Sequence, residues 1–218
     1  MATPTARDQG RRQRTDGAAT RARVLDAAVA SILDKGYYRT SSNEIARRAG
    51  VTWGTLQHQF GSRELLLLEV VNERWRDLQH EMATAEVEGT TLEARLSSVL
   101  AVLATHYGEP EQLAGLQILL DLSRDPDVST TTKRAIAEHG VRLTQAWQPL
   151  FEQALGPAAK DVILVRYAFV TLRGYLIGNL IASNITQTGD DAELRELLVR
   201  GVAAAIRERA EARGLELR

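Results

Sequence analysis

Polar and aromatic side chains are dense over residues 53–60, a stretch that carries no acidic residue. Its candidate contact groups are Trp53, Thr55, Gln57, His58 and Gln59. A glutamine amide can hydrogen-bond both N6 and N7 of adenine, and an apolar group can contact a thymine methyl in the major groove. A helix that is only solvated, in a chain with 28 acidic residues, would be expected to carry a carboxylate. The stretch is therefore a candidate reader of base edges in double-stranded DNA.

Two short helical patterns meet at Gly50 and would hold this stretch in place. Their buried positions are Ile45, Ala46, Ala49, Leu56 and Phe60. Gly50 can adopt the left-handed conformation that a tight turn needs, and Thr52 can cap the following helix through its hydroxyl. This is the pattern of a helix-turn-helix, whose second helix enters a DNA major groove. The alternative is an ordinary helical hairpin.

The composition limits the class of protein. The chain has 218 residues, of which 44% are hydrophobic and 25% charged, as in an ordinary globular protein. Because there is no cysteine, disulfides, thiolate catalysis and cysteine zinc sites are excluded. The first residues lack the apolar core of a secretory signal, and no uncharged apolar run reaches membrane-spanning length. We therefore expect a cytoplasmic protein.

The near-neutral net charge conceals a division along the chain. Residues 1–65 carry 11 Lys or Arg against 6 Asp or Glu, whereas residues 66–218 carry 16 against 22. The positive part coincides with the helix-turn-helix pattern. A basic front end joined to an acidic larger part suits a protein whose front end meets a polyanion.

The periodicity of apolar residues predicts an all-α chain of about nine helices. The predicted segments are a flexible basic arm at 1–18, a helix-turn-helix domain at 19–65 and a larger helical domain at 66–218. The first helix is expected from about Thr20, and a long helix ending near Leu155 is expected to kink at Pro149. The arginines of the arm either follow DNA phosphates or only supply charge. They are Arg7, Arg11, Arg12 and Arg14.

The region around the turn is similar to the TetR family of bacterial one-component transcription regulators. The resemblance covers roughly residues 20–70 and is carried by Ile45-Ala46, Ala49-Gly50-Val51-Thr52, Gly54, Leu56, Phe60, Ser62-Arg63-Glu64 and Leu66. Beyond this region, only the length and the helix count match. Gln57 stands where the family usually has tyrosine, and Gln59 where it has histidine or tyrosine. Because those family positions grip phosphates, we expect phosphate contacts here to be weaker or shared with the arm.

By this resemblance, two sets of residues are expected to contact DNA. Those expected to position the sugar-phosphate backbone are Ser42, Thr52, Gln57, Gln59 and Arg63. Those expected to face base edges are Asn43, Trp53, Thr55 and His58. Trp53 has the alternative of packing against the first helix or the turn. Gly54 would lower helix propensity by about 1 kcal/mol relative to alanine, while allowing the backbone to approach the groove wall.

The resemblance also implies a homodimer formed by the last two helices, which suits a palindromic operator. Gly174, Gly178 and Ala182 lie four residues apart and would permit close approach of two helices. The expected interface residues are Tyr167, Gly174, Gly178, Leu194, Leu198 and Val202. The alternative is that these residues pack within one chain.

A third implication of the resemblance is an effector pocket within the larger helical domain. The candidate lining residues are Trp75, Leu103, His106, Leu116, Gln117, Leu120, Trp147, Phe151, Phe169 and Arg173. Large apolar residues at helical spacing are more often plain core. Arg173 stands among apolar neighbours, where an unpaired charge is costly. It pairs with an internal carboxylate such as Asp121, lies exposed, or meets an anionic ligand.

These features predict a ligand-responsive DNA-binding regulator, most simply a repressor that a small-molecule effector releases from a palindromic operator. An all-α enzyme is one alternative. However, the four histidines are scattered, and no His-Glu-x-x-His zinc motif, phosphate-binding Gly-Lys loop or Gly-x-Ser-x-Gly elbow occurs. We therefore expect no catalytic residue, metal site or cofactor. A helical adaptor that has lost DNA binding is the other alternative, which Gln57 and Gln59 leave open.

Overall fold

The computed structural model describes the backbone of residues 6–186 and 191–218, with side chains except at residues 6–16, 77 and 144. These described residues form helices and no strand, which confirms the all-α class. The α-helices are α1 (Ala6–Lys35), α2 (Ser42–Ala49), α3 (Trp53–Phe60), α4 (Arg63–Thr84), α5 (Leu92–Tyr107), α6 (Glu111–Arg124), α7 (Thr130–Ala146), α8 (Gln148–Leu155), α9 (Val162–Thr186) and α10 (Ala192–Arg213). Short 3-10 helices span Tyr37–Arg39 and Gly156–Lys160. Among these helices, none is long and apolar enough to cross a membrane.

Two helix boundaries differ from the sequence prediction. Helix α1 begins at Ala6 rather than near Thr20, so the backbone of the predicted arm is helical from residue 6 onward. No proline follows Pro4 in that stretch, which is rich in the helix formers Ala, Arg and Gln. The chain also breaks at Trp147, so that Pro149 lies in the first turn of α8, where its missing N–H is not needed. This break gives ten α-helices in the described residues, where about nine were expected.

The chain packs as two compact units. Among the described residues, unit 1 contains those up to Arg74 together with Ala114–Ile136, and unit 2 contains those of Trp75–Leu113 and Ala137–Arg218. The predicted division at residue 65 is therefore not the division by packing. Part of α6 and the start of α7 share an apolar core with the N-terminal helices, which helical periodicity in the sequence cannot reveal.

The core of unit 1 fixes the position of α3. Apolar side chains of α1, α2, α3, α4 and α6 meet in one cluster, whose fully buried members include Val24, Ala28, Ile32, Ile45, Leu56, Leu66, Leu67, Ala114, Ile118 and Leu122. Burying one large aliphatic side chain contributes about 1.5–3 kcal/mol. Because Leu56 and Phe60 anchor one side of α3 in this cluster, the opposite side of the helix faces outward.

The core of unit 2 is larger and contains a buried cation. Arg95 is 2% exposed, and its guanidinium donates to the main-chain oxygens of Ala154 at 2.7 Å, of Thr90 at 3.2 Å and of Arg218. Burial, followed by the nearby charge of Arg218, lowers the pKa of Arg95. A buried charge is tolerated where hydrogen bonds satisfy it. Arg95 therefore ties α5 to the end of α8 and to the last residue of the chain.

Candidate functional site

Local hydrogen bonds hold the turn between α2 and α3. Gly50 has φ 67° and ψ 33°, which is the left-handed conformation, and the Val51 N–H donates to the Ala46 carbonyl at 3.0 Å. The Thr52 hydroxyl accepts from the Thr55 N–H at 3.1 Å. The predicted glycine turn and the predicted threonine cap are both confirmed. The two features fix where α3 begins.

The outer face of α3 is polar, aromatic and open to solvent. Trp53 is 52% exposed, so about half of its surface is open to solvent. Gln57 and His58 are exposed as well. The side chain of Thr55 is half-buried, and its hydroxyl lies 2.9 Å from that of Thr52. Trp53, Gln57 and His58 are therefore the side chains of α3 most available to a partner.

Further predicted DNA contacts flank this outer face. Asn43 on α2 is exposed, and Ser42 is half-buried. Gln59 is half-buried, and its side-chain oxygen is buried with no hydrogen-bond donor in the described part of the chain. Gln59 is thus less available than Gln57. The side chains of the predicted arm lie outside the described residues, namely Arg7, Arg11, Arg12 and Arg14.

Two carboxylates of unit 1, those of Glu44 and Asp34, form ion pairs with nearby cations. The Glu44 carboxylate lies 2.9 Å from the Arg47 guanidinium and 2.6 Å from the Lys35 ammonium. Hydrogen bonds from Arg47, and next from Lys35, hold the pKa of Glu44 down to about 2. Asp34 pairs with Arg48 at 2.7 Å. The negative charge of each carboxylate is therefore compensated within unit 1.

Arg63 is engaged inside unit 1, although the sequence predicted a phosphate contact. Its guanidinium donates to the main-chain oxygens of Thr40 at 2.8 Å and Tyr37 at 2.7 Å. It also lies 4.4 Å from the centre of the Tyr37 ring. The planar fork of arginine suits two neighbouring carbonyls. Arg63 therefore joins the start of α4 to the segment between α1 and α2.

Helix α9 carries an exposed stripe of apolar and small residues. This α9 stripe comprises Ile163, Tyr167, Val170, Gly174, Gly178, Ile181 and Ile185. Steps of three and four residues keep its members on one side of a helix. On α10, Leu194 and Leu197 are exposed and Leu198 is half-buried. Val202, predicted for the interface, is 2% exposed and packs within the core of unit 2, so it is not part of an exposed surface.

The predicted effector residues fall into two groups. Three belong to unit 1, where Gln117 and Leu120 are exposed and Leu116 is half-buried. The other seven belong to unit 2. Five of the seven are buried in its core, as expected for large apolar residues at helical spacing: Trp75, Leu103, Trp147, Phe151 and Phe169. The half-buried members are His106 and Arg173.

The aromatic side chains of unit 2 form a connected cluster. The ring of Trp147 lies 6.0 Å from that of Tyr107 and 5.7 Å from that of Phe169, measured between centroids. The Arg173 guanidinium lies 5.2 Å from the centre of the Phe169 ring and 5.8 Å from that of Tyr107. The Tyr107 hydroxyl and the Trp147 Nε1 are buried among these side chains. We call Tyr107, Trp147, Phe169 and Arg173 the aromatic cluster.

Tyr107 and His139 were not among the candidate site residues named from the sequence. The Nδ1 atom of His139 is buried without a partner in the described residues, and its ring lies 5.5 Å from that of Trp75. Burial, followed by the charge of Arg142, lowers the pKa of His139. Tyr107 follows Leu103 by one helical turn, which could have indicated an inward position. No local pattern indicates that either residue meets a tryptophan from a distant part of the chain.

A cleft of about 510 Å³ opens between α5, α9 and α10. Its apolar wall includes Leu100 and Ala104 of α5, Leu176 of α9 and Val199 of α10. The rest of the lining includes charged side chains, namely Glu93, Arg195, Glu196 and Arg200. The cleft therefore combines an apolar wall with a charged rim within unit 2.

Comparison with known proteins decides the family. The family model for bacterial regulatory proteins of the tetR family matches residues 24–70, the segment that contains the capped helix pair. This segment of the chain belongs to the TetR family. The matched segment includes the Gly50 turn and all of α3, so that the TetR resemblance of the sequence is confirmed.

Similar proteins of known role are transcription regulators. The chain is 33% identical over 122 residues to the HTH-type transcriptional regulator BetI of Agrobacterium fabrum, covering 55% of this chain and 57% of that protein. It is 30% identical over 78 residues to the fatty acid metabolism regulator protein of Bacillus subtilis, covering 36% and 40% respectively. The matched region thus spans 57% of the length of the first relative and 40% of the length of the second.

Solved structures share the fold over most of the chain. A transcriptional regulator FadR from Bacillus subtilis, in complex with stearoyl-CoA, superposes with a TM-score of 0.60 at 18% identity over 84% of this chain and 96% of that one. The multidrug binding protein EbrR, complexed with ethidium, gives a TM-score of 0.55 at 17% identity over 84% and 98%. The TetR fold therefore extends beyond the segment that sequence matching covers.

Proposed function

We propose that this chain is a ligand-responsive transcription regulator that binds a palindromic DNA operator as a homodimer. It represses transcription there, and a small-molecule effector releases it. The observation that carries the proposal is the exposed, acid-free outer face of α3, which the Gly50 turn and the Thr52 cap hold in place. Such a helix can enter a major groove with its polar side chains toward base edges. No catalytic activity is proposed, and a regulator that meets the chromosome acts in the bacterial cytoplasm.

Homodimerisation is supported by the α9 stripe. Eight of the fourteen large apolar side chains that are exposed in the described residues lie on α9 and α10, which is where a second copy would cover them. A Cβ added at Gly174 or Gly178 meets no atom within 4 Å, so packing inside the chain does not require these glycines. Because glycine has no side chain, these two positions allow close contact with another helix. A dimer presents two copies of α3 to half-sites about 34–36 Å apart per turn of DNA.

Release by an effector is supported by the form of α4. This helix is continuous from Arg63 to Thr84 and contributes residues to both compact units. Because two α3 helices must match fixed half-sites, a small rotation weakens binding at one of them. The ligands named for FadR and EbrR structures indicate that this fold accommodates small molecules.

Fluorescence anisotropy with labelled DNA from upstream of the chain's own gene tests the proposal. We expect binding at low salt, with log affinity falling linearly as log salt concentration rises. Random fragments of equal length should bind at least about a thousandfold more weakly. His58→Ala should relax the sequence preference, and His80→Ala, which removes an exposed histidine from α4, should not.

A failure to bind both the upstream DNA and a large set of random fragments would refute the DNA-binding role. Retention of a protein partner by such a preparation would then favour the adaptor alternative, in which exposed Trp53 contacts protein. Sedimentation of the full chain tests the dimer separately. Tyr167→Glu, which places a charge in the α9 stripe, should shift the equilibrium toward monomer. Exposed Gln145 on α7 offers a matched control as Gln145→Glu.

A further inference from the structure

Trp53 differs from the other two tryptophans of the chain in its exposure. Trp75 and Trp147 are 6% and 0% exposed and belong to the core of unit 2, whereas Trp53 is 52% exposed. The ring contacts between described residues do not include the Trp53 indole. Covering the exposed half of a large apolar ring releases free energy in proportion to the area removed from water. Trp53 can therefore strengthen the binding of a partner at α3.

The start of α3 holds Trp53 in place and leaves open space beside it. Trp53 is the first residue of the helix and follows the Thr52 cap, whose hydroxyl accepts from the Thr55 N–H at 3.1 Å. The next residue is Gly54, where an added Cβ would meet no atom closer than the Thr52 hydroxyl at 3.8 Å. The backbone of the first turn is thus anchored, and no side chain at position 54 keeps a base edge away from the indole.

The exposed side chains of α3 comprise polar groups and one apolar ring. All eight residues of the helix are described, and Trp53 is the large apolar side chain exposed among them. Gln57 and His58 can hydrogen-bond the polar edges of bases. The apolar group that a base presents in the major groove is the C5 methyl of thymine. Because the carbon atoms of an indole need an apolar neighbour, the chemical match for Trp53 is a thymine methyl.

We propose that Trp53 recognises the C5 methyl group of a thymine in each half-site of the operator. The indole packs against the methyl group, while the polar side chains of α3 hydrogen-bond neighbouring base edges. Burying one methyl group strengthens binding about fourfold, so that the two copies of Trp53 in a dimer strengthen it about fifteenfold. The inference rests on the proposed function, because it names the chemical group that α3 recognises.

Thymine and uracil differ only in this methyl group, which allows a test on the unaltered protein. The anisotropy assay uses DNA from upstream of the chain's own gene, in which uracil replaces thymine in symmetric pairs, one base in each half-site. We expect one such pair to weaken binding of the wild-type protein about fifteenfold. Trp53→Ala should lose the sensitivity at that pair, so that its affinities for the thymine and uracil DNA agree within about twofold.

Two further variants assign the effect to the ring of Trp53. Trp53→Phe keeps an aromatic ring but removes the indole N–H, which can only donate a hydrogen bond. It should retain most of the preference for thymine over uracil. Tyr38→Ala is the matched control, because it removes an aromatic side chain of unit 1 that is 86% exposed and lies outside α3. This control should keep the full preference for thymine.

The same measurements separate this inference from the proposed function. Wild-type protein that binds equally well after replacement of each symmetric pair would refute methyl recognition and leave the regulator intact. A thymine preference that survives Trp53→Ala, or one that Trp53→Phe abolishes, would also overturn the inference. A protein that binds neither the upstream DNA nor random fragments would refute the proposed function and this inference together.

Discussion

Replacing Arg63 by alanine distinguishes a structural role from a phosphate contact. Hydrogen bonds from a charged donor contribute about 1.5–3 kcal/mol each, and a cation–π contact contributes about 0.5–1 kcal/mol. Because Arg63 is half-buried, the low end of these ranges applies to its bonds with Tyr37 and Thr40. We expect Arg63→Ala to lower the free energy of unfolding by about 3 kcal/mol. At 2–4 °C per kcal/mol for a chain of this size, the melting temperature should fall by about 6–12 °C.

The DNA assay gives the second measurement on the same variant. A side chain that neutralises one phosphate contributes about 0.9 to the slope of log affinity against log salt. If Arg63 only supports the fold, Arg63→Ala, studied well below its melting temperature, keeps the wild-type slope. Arg63→Lys is the decisive companion, because it keeps the charge but not the planar fork.

We expect Arg63→Lys to remain destabilised. Arg39→Ala is the control for stability, since it removes a charge from an exposed side chain and should leave the melting temperature within about 2 °C. An unchanged melting temperature for Arg63→Ala, together with a slope reduced by about 0.9 that lysine restores, would refute the structural role.

Three further predictions concern other parts of the chain. An added Cβ at Gly54 meets nothing closer than the Thr52 hydroxyl at 3.8 Å, so Gly54→Ala should stabilise the fold by up to about 1 kcal/mol. Gly54→Ala should nevertheless weaken operator binding about tenfold (about 1.4 kcal/mol). The control Gly140→Ala should stabilise the fold without changing operator affinity. An unchanged operator affinity of Gly54→Ala would contradict close approach of α3 to DNA. Arg95→Met removes the donor to three main-chain oxygens and should lower the free energy of unfolding, measured by chemical denaturation, by about 3 kcal/mol. A denaturation midpoint equal to that of the wild type would contradict this prediction. Because the pKa of Glu44 falls from its ordinary 4.5 to about 2, its stabilising effect is complete above pH 4.5 and is lost as the pH falls toward 2. The difference in melting temperature between the wild type and Glu44→Gln should therefore shrink from pH 6 to pH 3, and a constant difference would argue against these ion pairs.

The helix-turn-helix could be predicted because its determinants are local. A glycine at the turn acts through its own backbone conformation, and a threonine at the cap acts through a hydrogen bond to a residue only a few positions away in the sequence. For Gly50 and Thr52, the sequence prediction and the structure agree. The same local reasoning gave the all-α class, because helical periodicity is visible within single segments.

Side-chain roles were less predictable, since the same residue type serves different partners. An arginine at the start of α4 fits a phosphate contact as well as a main-chain contact, and only the structure shows that Arg63 donates to the main-chain oxygens of Tyr37 and Thr40. The spacing of Trp53 in the sequence is equally compatible with a buried and with an exposed side chain. Its exposure follows from Leu56 and Phe60, which occupy the buried side of α3.

The sequence by itself determined the helical class, the turn that carries α3 and the polar character of its outer face. Tertiary structure alone decided which distant residues share a core. It placed part of α6 in unit 1, buried Arg95 among main-chain carbonyls, and brought Tyr107 and Trp147 beside Arg173. The physical reason is range: turns and caps act between neighbours in the chain, whereas burial and pairing depend on which segments meet after folding.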